Sequence, residues 1–201
     1  MNNQENIVTD IDGNVYHTVT IGKQVWMVEN LKTTKYNNGD PLPIATDDKE
    51  WETQTTGAYC KYDNPDYENS YGNLYNWFAV NDSRKIAPKG WHIPTDAEWE
   101  TLINFLDGEG AAGGKLKESG TKHWKSPNTA ATNESGFTAL PGGTRDVDGP
   151  FNHLGYMGYY WSATESSNEY AWYRCLDCDG SFVLRLEYFK KYGFSLRCIK
   201  D

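Results

Sequence analysis

The chain has 201 residues, a formal net charge of −9 from Lys+Arg 19 against Asp+Glu 28, and 14% aromatic residues, among them 8 Trp and 14 Tyr. That aromatic content excludes an intrinsically disordered chain, and the length suits one domain on a scale of about 100–200 residues per domain. The acidic balance repels phosphate backbones and anionic lipid, which excludes nucleic acid and a membrane as partners, and no run of about 18 apolar residues offers a spanning helix.

Residues 1–6 have neither a basic n-region nor an apolar h-region, so no signal peptide is read there and a short flexible N-terminus is expected. Ile7–Ile11 and Asn14–Ile21 flank Asp12-Gly13, a strong hairpin signal, and Gly22-Lys23 turns the chain into a third strand at Gln24–Val28. From Asn37 to Tyr71 the composition shifts to Asn, Asp, Pro, Thr and Tyr, which predicts a long surface loop pinned by Trp51 and Tyr59. Ser70 is placed to cap a helix through Gly72–Val80. Thr95-Asp-Ala-Glu98 is a capping box, and Trp99, Leu102, Ile103 and Leu106 share one helical face, so a second helix runs from Thr95 until Gly108 ends it. Short strands follow at Phe137–Leu140 and Tyr159–Ala163. Asp179-Gly180 then divides a hairpin of Tyr170–Cys178 and Ser181–Tyr188, and Gly193–Ile199 closes the chain. Strands at both ends with helices between them predict a single α+β domain over 1–201 whose termini share a sheet.

Six ordered blocks carry a family resemblance: Asp12-Gly-Asn-Val-Tyr16, Ile21-Gly-Lys-Gln-Val-Trp-Met-Val-Glu-Asn-Leu31, Tyr71-Gly-Asn-Leu-Tyr-Asn-Trp77, Ala87-Pro-Lys-Gly-Trp-His-Ile-Pro-Thr-Asp-Ala-Glu-Trp99, Tyr160-Trp-Ser-Ala-Thr-Glu165 and Gly193-Phe-Ser-Leu-Arg-Cys198. Together they resemble the Fibrobacter succinogenes major paralogous domain family over about residues 8–200. The fourth and sixth blocks are also similar to the formylglycine-generating-enzyme branch of the C-type-lectin fold. The resemblance implies two main helices packed on a twisted antiparallel sheet that joins both termini, with long irregular loops. It implies little biochemistry, because members of the family are mostly surface or secreted proteins without assigned activity, and fold-level analogy does not supply a reaction.

Formylglycine-generating enzymes use a cysteine pair in the C-terminal region, where this chain has Cys175-x-x-Cys178. On a strand, residues three apart face opposite sides, so neither a metal chelate nor an intrastrand disulfide follows, and the spacing departs from that of the enzymes. Cys60 and Cys198 recur in the family blocks; they either form a disulfide in an exported protein or sit as small apolar core residues. Asp146-Val-Asp148-Gly149 begins like a calcium loop but lacks the Gly and Glu spacing of an EF-hand, and a polar Asp-Gly turn is the plainer reading. No cofactor is expected, calcium being the one candidate ion. His17, His92, His123 and His153 show no metal spacing, and no nucleophile elbow, P-loop or zincin motif occurs.

Ser181–Tyr188 alternates Phe182, Leu184, Leu186 and Tyr188 with Val183, Arg185 and Glu187. Patterning alone buries the first set. The resemblance implies the reverse: Val and Arg recur at the places of Val183 and Arg185, while the residues between them change freely, as exposed positions do. The expected recognition surface is then an apolar stripe of Phe182, Leu184, Leu186 and Tyr188, joined by Trp172, Arg174 and Asp177, with an inward Arg185 paired to Glu134 or Glu165. The leading expectation is a non-enzymatic recognition module, an adhesin or receptor-binding end that contacts a cell-surface glycan or protein from the extracellular, cell-surface or virion side. Its tolerant positions suit a phage protein or a diversity-generating-retroelement target. The alternatives are a formylglycine-generating-like oxidase using Cys175 and Cys178, or a structural cell-envelope domain.

Overall fold

The computed structural model describes residues 6–62, 67 and 70–201, so residues 1–5 of the expected flexible N-terminus lie outside the described residues. β1 (Ile7–Thr9), β2 (Val15–Ile21) and β3 (Gln24–Met27) form the antiparallel meander that the two turns dictate. Gly13 and Gly22 hold φ of 86° and 62°, a region L side chains rarely enter. The chain's end completes this sheet: β12 (Ile199–Lys200) lies between β3 and β6 (Trp91–His92), with Ile199 opposite both Trp26 and His92. The termini therefore share a sheet, as the sequence predicts.

A second antiparallel sheet is built from β9 (Met157–Glu165), β10 (Tyr170–Asp177) and β11 (Val183–Phe189), in the order β11-β10-β9. Two small ribbons, β4 (Tyr59–Cys60) with β5 (Leu74–Tyr75) and β7 (Thr144–Arg145) with β8 (Phe151–Asn152), flank it. The segment expected as one closing strand from Gly193 is instead a seam. Gly193 bridges to Arg145, Phe194 to Tyr75 and Ser195 to Tyr160, so three sheets are joined within three residues. The result is a mixed α/β structure with few helices and mostly antiparallel sheets, curled as a half-barrel. Among the described residues no helix is long and apolar enough to cross a membrane.

The helices depart from expectation in three places. The long loop contains α1 (Asp48–Glu52), which Asp47 caps by accepting from the Glu50 N–H; as expected, Trp51 pins this region by burial. The helix predicted over 72–80 shrinks to α2 (Trp77–Val80), capped by Asn76 rather than Ser70. Gly72 at φ 73° breaks the helical path, and Leu74 and Tyr75 pair with Cys60 and Tyr59 as a strand. α3 (Asp96–Phe105) has the predicted capping box of Thr95 and Glu98 and buries Trp99, Leu102 and Ile103. α4 (Glu109–Leu116) was hidden by its three glycines. Two of them are joints. A Cβ on Gly113 would run into the Phe182 and Ser181 carbonyls, and one on Gly114 would approach the Ala130 carbonyl to 2.5 Å.

The second sheet separates two apolar clusters. Tyr159, Trp161, Tyr173 and Cys175 face one, with Tyr75 and Phe194; Tyr160, Leu176, Cys178 and Val183 face the other, with Trp26, Trp99 and Phe137. Cys60 belongs to a third cluster around Trp51 and Tyr62, and all four cysteines are free. The alternative of a Cys60–Cys198 disulfide is therefore replaced by the packed-thiol one: Cys60 donates to the Leu74 carbonyl, while Cys198 is enclosed in the first cluster.

Gly113→Ala is expected to lose about 1–3 kcal/mol from overpacking against β11, even though alanine raises helix propensity by about 1 kcal/mol. Gly110, with nothing within 4 Å of its added Cβ, is the control, and Gly110→Ala should be neutral or stabilising in the same denaturant melts.

Candidate functional site

β11 pairs with β10 in unbroken register, Leu176 opposite Val183, Arg174 opposite Arg185 and Ala171 opposite Tyr188. Alternation therefore puts Leu184, Leu186 and Tyr188 on the face of Cys175, Tyr173 and Ala171, and Arg185 and Glu187 on the face of Arg174 and Trp172. The first face is the core side. Even so, Leu184 and Leu186 are 41% and 42% exposed, whereas Val183 is 1% exposed. β11 is the edge strand, and beyond Tyr173 the aromatic packing reaches only Tyr188 and Tyr192, so Leu184 and Leu186 form an open margin of the core. Tyr188 stands edge-on to Tyr173 at 6.0 Å and to Tyr192 at 4.1 Å between ring centroids.

Three of the seven expected site residues, Leu184, Leu186 and Tyr188, thus share one exposed face. Phe182 precedes the strand, its ring folded against Gly180. The other three do not join them. Arg174 is buried on the opposite face, where its Nη1 donates to Asp96 Oδ1 at 2.7 Å. Trp172 lies on that same face under the Arg185 guanidinium, 3.4 Å from the ring centroid. Asp177 sits at the hairpin turn, its carboxylate accepting from the Asp179 N–H.

Arg185 corrects the expectation of an inward guanidinium. Its side chain is 39% exposed, and Nη2 reaches Asp96 Oδ2 at 2.9 Å. Glu134 and Glu165, the expected partners, are taken by Lys115 and Lys190. Asp96 opens α3 and so gathers two arginines from neighbouring strands onto a helix N-terminus, a position that favours a carboxylate. Burial works against its charge, but the hydrogen bonds from Arg185 and Arg174 outweigh it and hold its carboxyl below the ordinary range.

At the end of β11, Phe189, Lys190 and Lys191 line a separate cleft of about 460 Å³, which none of Leu184, Leu186 and Tyr188 enters. Phe78, Val147 and Phe189 give it apolar walls, and Glu52, Asp148, Glu169 and Lys191 stand around it. Phe189 packs tilted against Tyr170 with ring centroids 4.5 Å apart. These cleft residues were missed in the sequence, although the Phe189-Lys-Lys-Tyr192 run carried an aromatic signal.

The redox and metal candidates take other places. Cys175 and Cys178 face different clusters, and burial pushes their thiols up to about 12 and about 11, so they share no site and neither is a ready thiolate. Asp177, Cys178 and Asp179 offer atoms within 4.8 Å of one another. The Lys117 ammonium already serves this turn from beneath, donating to the Asp177 and Gly180 carbonyls. The Asp146 segment is a turn: its amide donates to the Pro150 carbonyl and its carboxylate accepts from Asn152. His92 spends both ring nitrogens on Asp201 and Glu98, leaving no lone pair for a base or a metal.

The Fibrobacter succinogenes major domain matches residues 19–200, and the chain belongs to that family. No curated protein and no solved structure matches it.

The Asp96 cluster makes a pH prediction. A carboxylate whose folded pKa is depressed contributes stability present above its unfolded pKa of about 3.9, and lost as pH falls through the folded value. Asp96→Asn should therefore flatten the acid limb of the stability–pH curve, and at neutral pH it should cost about 3–5 kcal/mol by leaving Arg174 buried without its carboxylate. Urea melts from pH 2 to pH 7 on both proteins check this; parallel acid limbs would show that Asp96 does not anchor the strands.

Proposed function

We propose that this chain is a non-enzymatic recognition module with a C-type-lectin-like fold, which binds a cell-surface glycan or protein through the open face of β11 and the adjoining cleft. The observation that carries the reading is the row Leu184, Leu186 and Tyr188, large apolar side chains left open to solvent on a strand whose backbone is held from one side by β10. An exposed apolar patch rimmed by polar groups marks an interaction surface more often than a packing fault. Tyr188 and Tyr192 add aromatic area of the kind that supplies binding energy at interface centres.

The lectin-like part of the reading is supported by the shared terminal sheet, by α3 and α4 against the second sheet, and by the long irregular connections. In such a module the ligand surface lies on a rigid frame while its own side chains are replaceable. Placement outside the cell or on a virion follows from that reading. An oxidase using Cys175 and Cys178 has no support in the geometry, since the two thiols lie in different clusters.

A glycan and surface-protein array, probed with and without calcium, tests the proposal. The parent chain should bind a restricted set of targets, and Leu184→Asp should abolish that binding while leaving the thermal midpoint within about 2 °C. A Leu184→Asp chain that unfolds would return the stripe to the core, and one that binds as the parent does would move the site elsewhere.

A further inference from the structure

The edges of the two main sheets are treated differently. Among the described residues, the outer side of β9 is closed by bridges from Tyr160 to Ser195 and from Gly158 to Gly143. β1 and β6, the edges of the other sheet, are 3 and 2 residues long. β11 instead offers 7 residues in continuous register, with no bulge, proline or lysine among them to discourage a further strand.

The direction of its free hydrogen-bonding groups follows from its neighbours. The Cys178 N–H donates to Tyr156 on the β9 side, and the Lys190 N–H to Glu169 on the β10 side. By alternation Leu184, Leu186 and Tyr188 bond inward to β10, and the amides and carbonyls of Val183, Arg185, Glu187 and Phe189 point out of the sheet.

We propose that this edge pairs with the same edge of a second copy of the chain, antiparallel about a twofold axis through Leu186. Outward groups must meet outward groups, so odd residues pair with odd ones and only a few registers are open. With the axis at Arg185, two arginines oppose each other; with the axis at Glu187, two glutamates do. With the axis at Leu186, Arg185 of each copy faces Glu187 of the other, Leu184 faces Tyr188, and the two stripes merge into one apolar face. This register alone among the three pairs opposite charges, and like charges directly opposed are destabilising.

The side chains are free to do this. Glu187 has no ion pair among the described residues, and Arg185 engages Asp96 through Nε and Nη2, which leaves Nη1 for a second carboxylate. A twofold pairing of this kind is self-complementary and closes on itself, so it yields a dimer and not an open array. The pairing does not rest on the recognition reading, because it uses the strand edge and not a ligand.

Sedimentation across a concentration series, together with cysteine cross-linking, tests the pairing. The parent chain should show a concentration-dependent dimer, and Glu187→Lys, which sets lysine against Arg185 at two places, should weaken it about tenfold or more. Leu186→Cys should form a disulfide-linked dimer under mild oxidation, because the axis brings the residue within about 4.5 Å of its own copy, Cα to Cα. Leu184→Cys, about four residues or roughly 13 Å from its copy, should not. A parent chain that stays monomeric throughout, a dimer indifferent to Glu187→Lys, or cross-linking at 184 in place of 186 would each overturn the proposal. Array binding by Glu187→Lys reads the recognition surface separately, so the two readings fail independently.

Discussion

The Arg197 guanidinium is fully buried and, among the described residues, pairs with no carboxylate, yet it ties the end of the chain to two earlier segments. Nε donates to Asn30 Oδ1 at 2.7 Å, Nη1 to the carbonyls of Met27 and Phe137, and Nη2 to the carbonyl of Thr138. An isolated buried charge is expensive, so these acceptors are a condition of the fold and not an accessory to it. One of them comes from strained backbone. Thr138 is β-branched and holds φ 54°, fixed by two hydrogen bonds with Asn133. The strand register at Met27, the turn at Thr138 and the closing segment are thereby set by one side chain. Lys117 and Arg145 repeat the device. Lys117 fills its three donors with the carbonyls of Thr129, Asp177 and Gly180, which holds the β10–β11 turn; Arg145 takes those of Ala45 and Gly149 and reaches Asp48.

These anchors explain why β11 can be both well placed and exposed. Its start is fixed by the turn on Lys117, by Val183 in the second cluster and by the carbonyls that lie against Gly113. Its far end is fixed by Lys190, whose ammonium bonds Glu165 and the Asn168 carbonyl below the surface. Between these points β10 holds the backbone from one side only. The apolar side chains facing the core run out past the limit of the aromatic cluster, and the charged ones run out past α3. Both faces of the strand are open for the same reason: it is the last strand of its sheet.

Much of this frame was legible in the sequence. The Asp12-Gly13 and Gly22 turns, the Thr95–Glu98 capping box and the Asp179-Gly180 hairpin are local rules, and each produced the element expected. What was misread depends on distant partners. α4 looked too rich in glycine to be a helix until the carbonyls of Ser181, Phe182 and Ala130 show why side chains are excluded there. Leu74 and Tyr75 have helix-like neighbours, but Tyr59 and Cys60, across the long loop, make them a strand. At the site, the alternation of β11 was read correctly for Val183 and wrongly for Arg185, because the deciding group, Asp96, is 89 positions away in sequence. The burial of Arg174 has the same origin.

The placement of Asp96 also limits which positions of the surface are replaceable. It holds Arg174 and Arg185 against α3, so changes on that face of the hairpin act on the helix cap and on a buried charge. Leu184 and Leu186 carry no such duty. Each is partly exposed and sits where the backbone is held by β10 whatever the side chain, while Tyr188 also packs on Tyr173 and Tyr192. Exposed positions away from buried networks usually change stability by about half a kcal/mol or less, against a total of about 5–15 kcal/mol. Sequence variation is therefore affordable on one face of β11 and costly on the other. A strand built in that way keeps its position while its apolar face changes, which is the physical requirement for a scaffold that meets different partners through one surface.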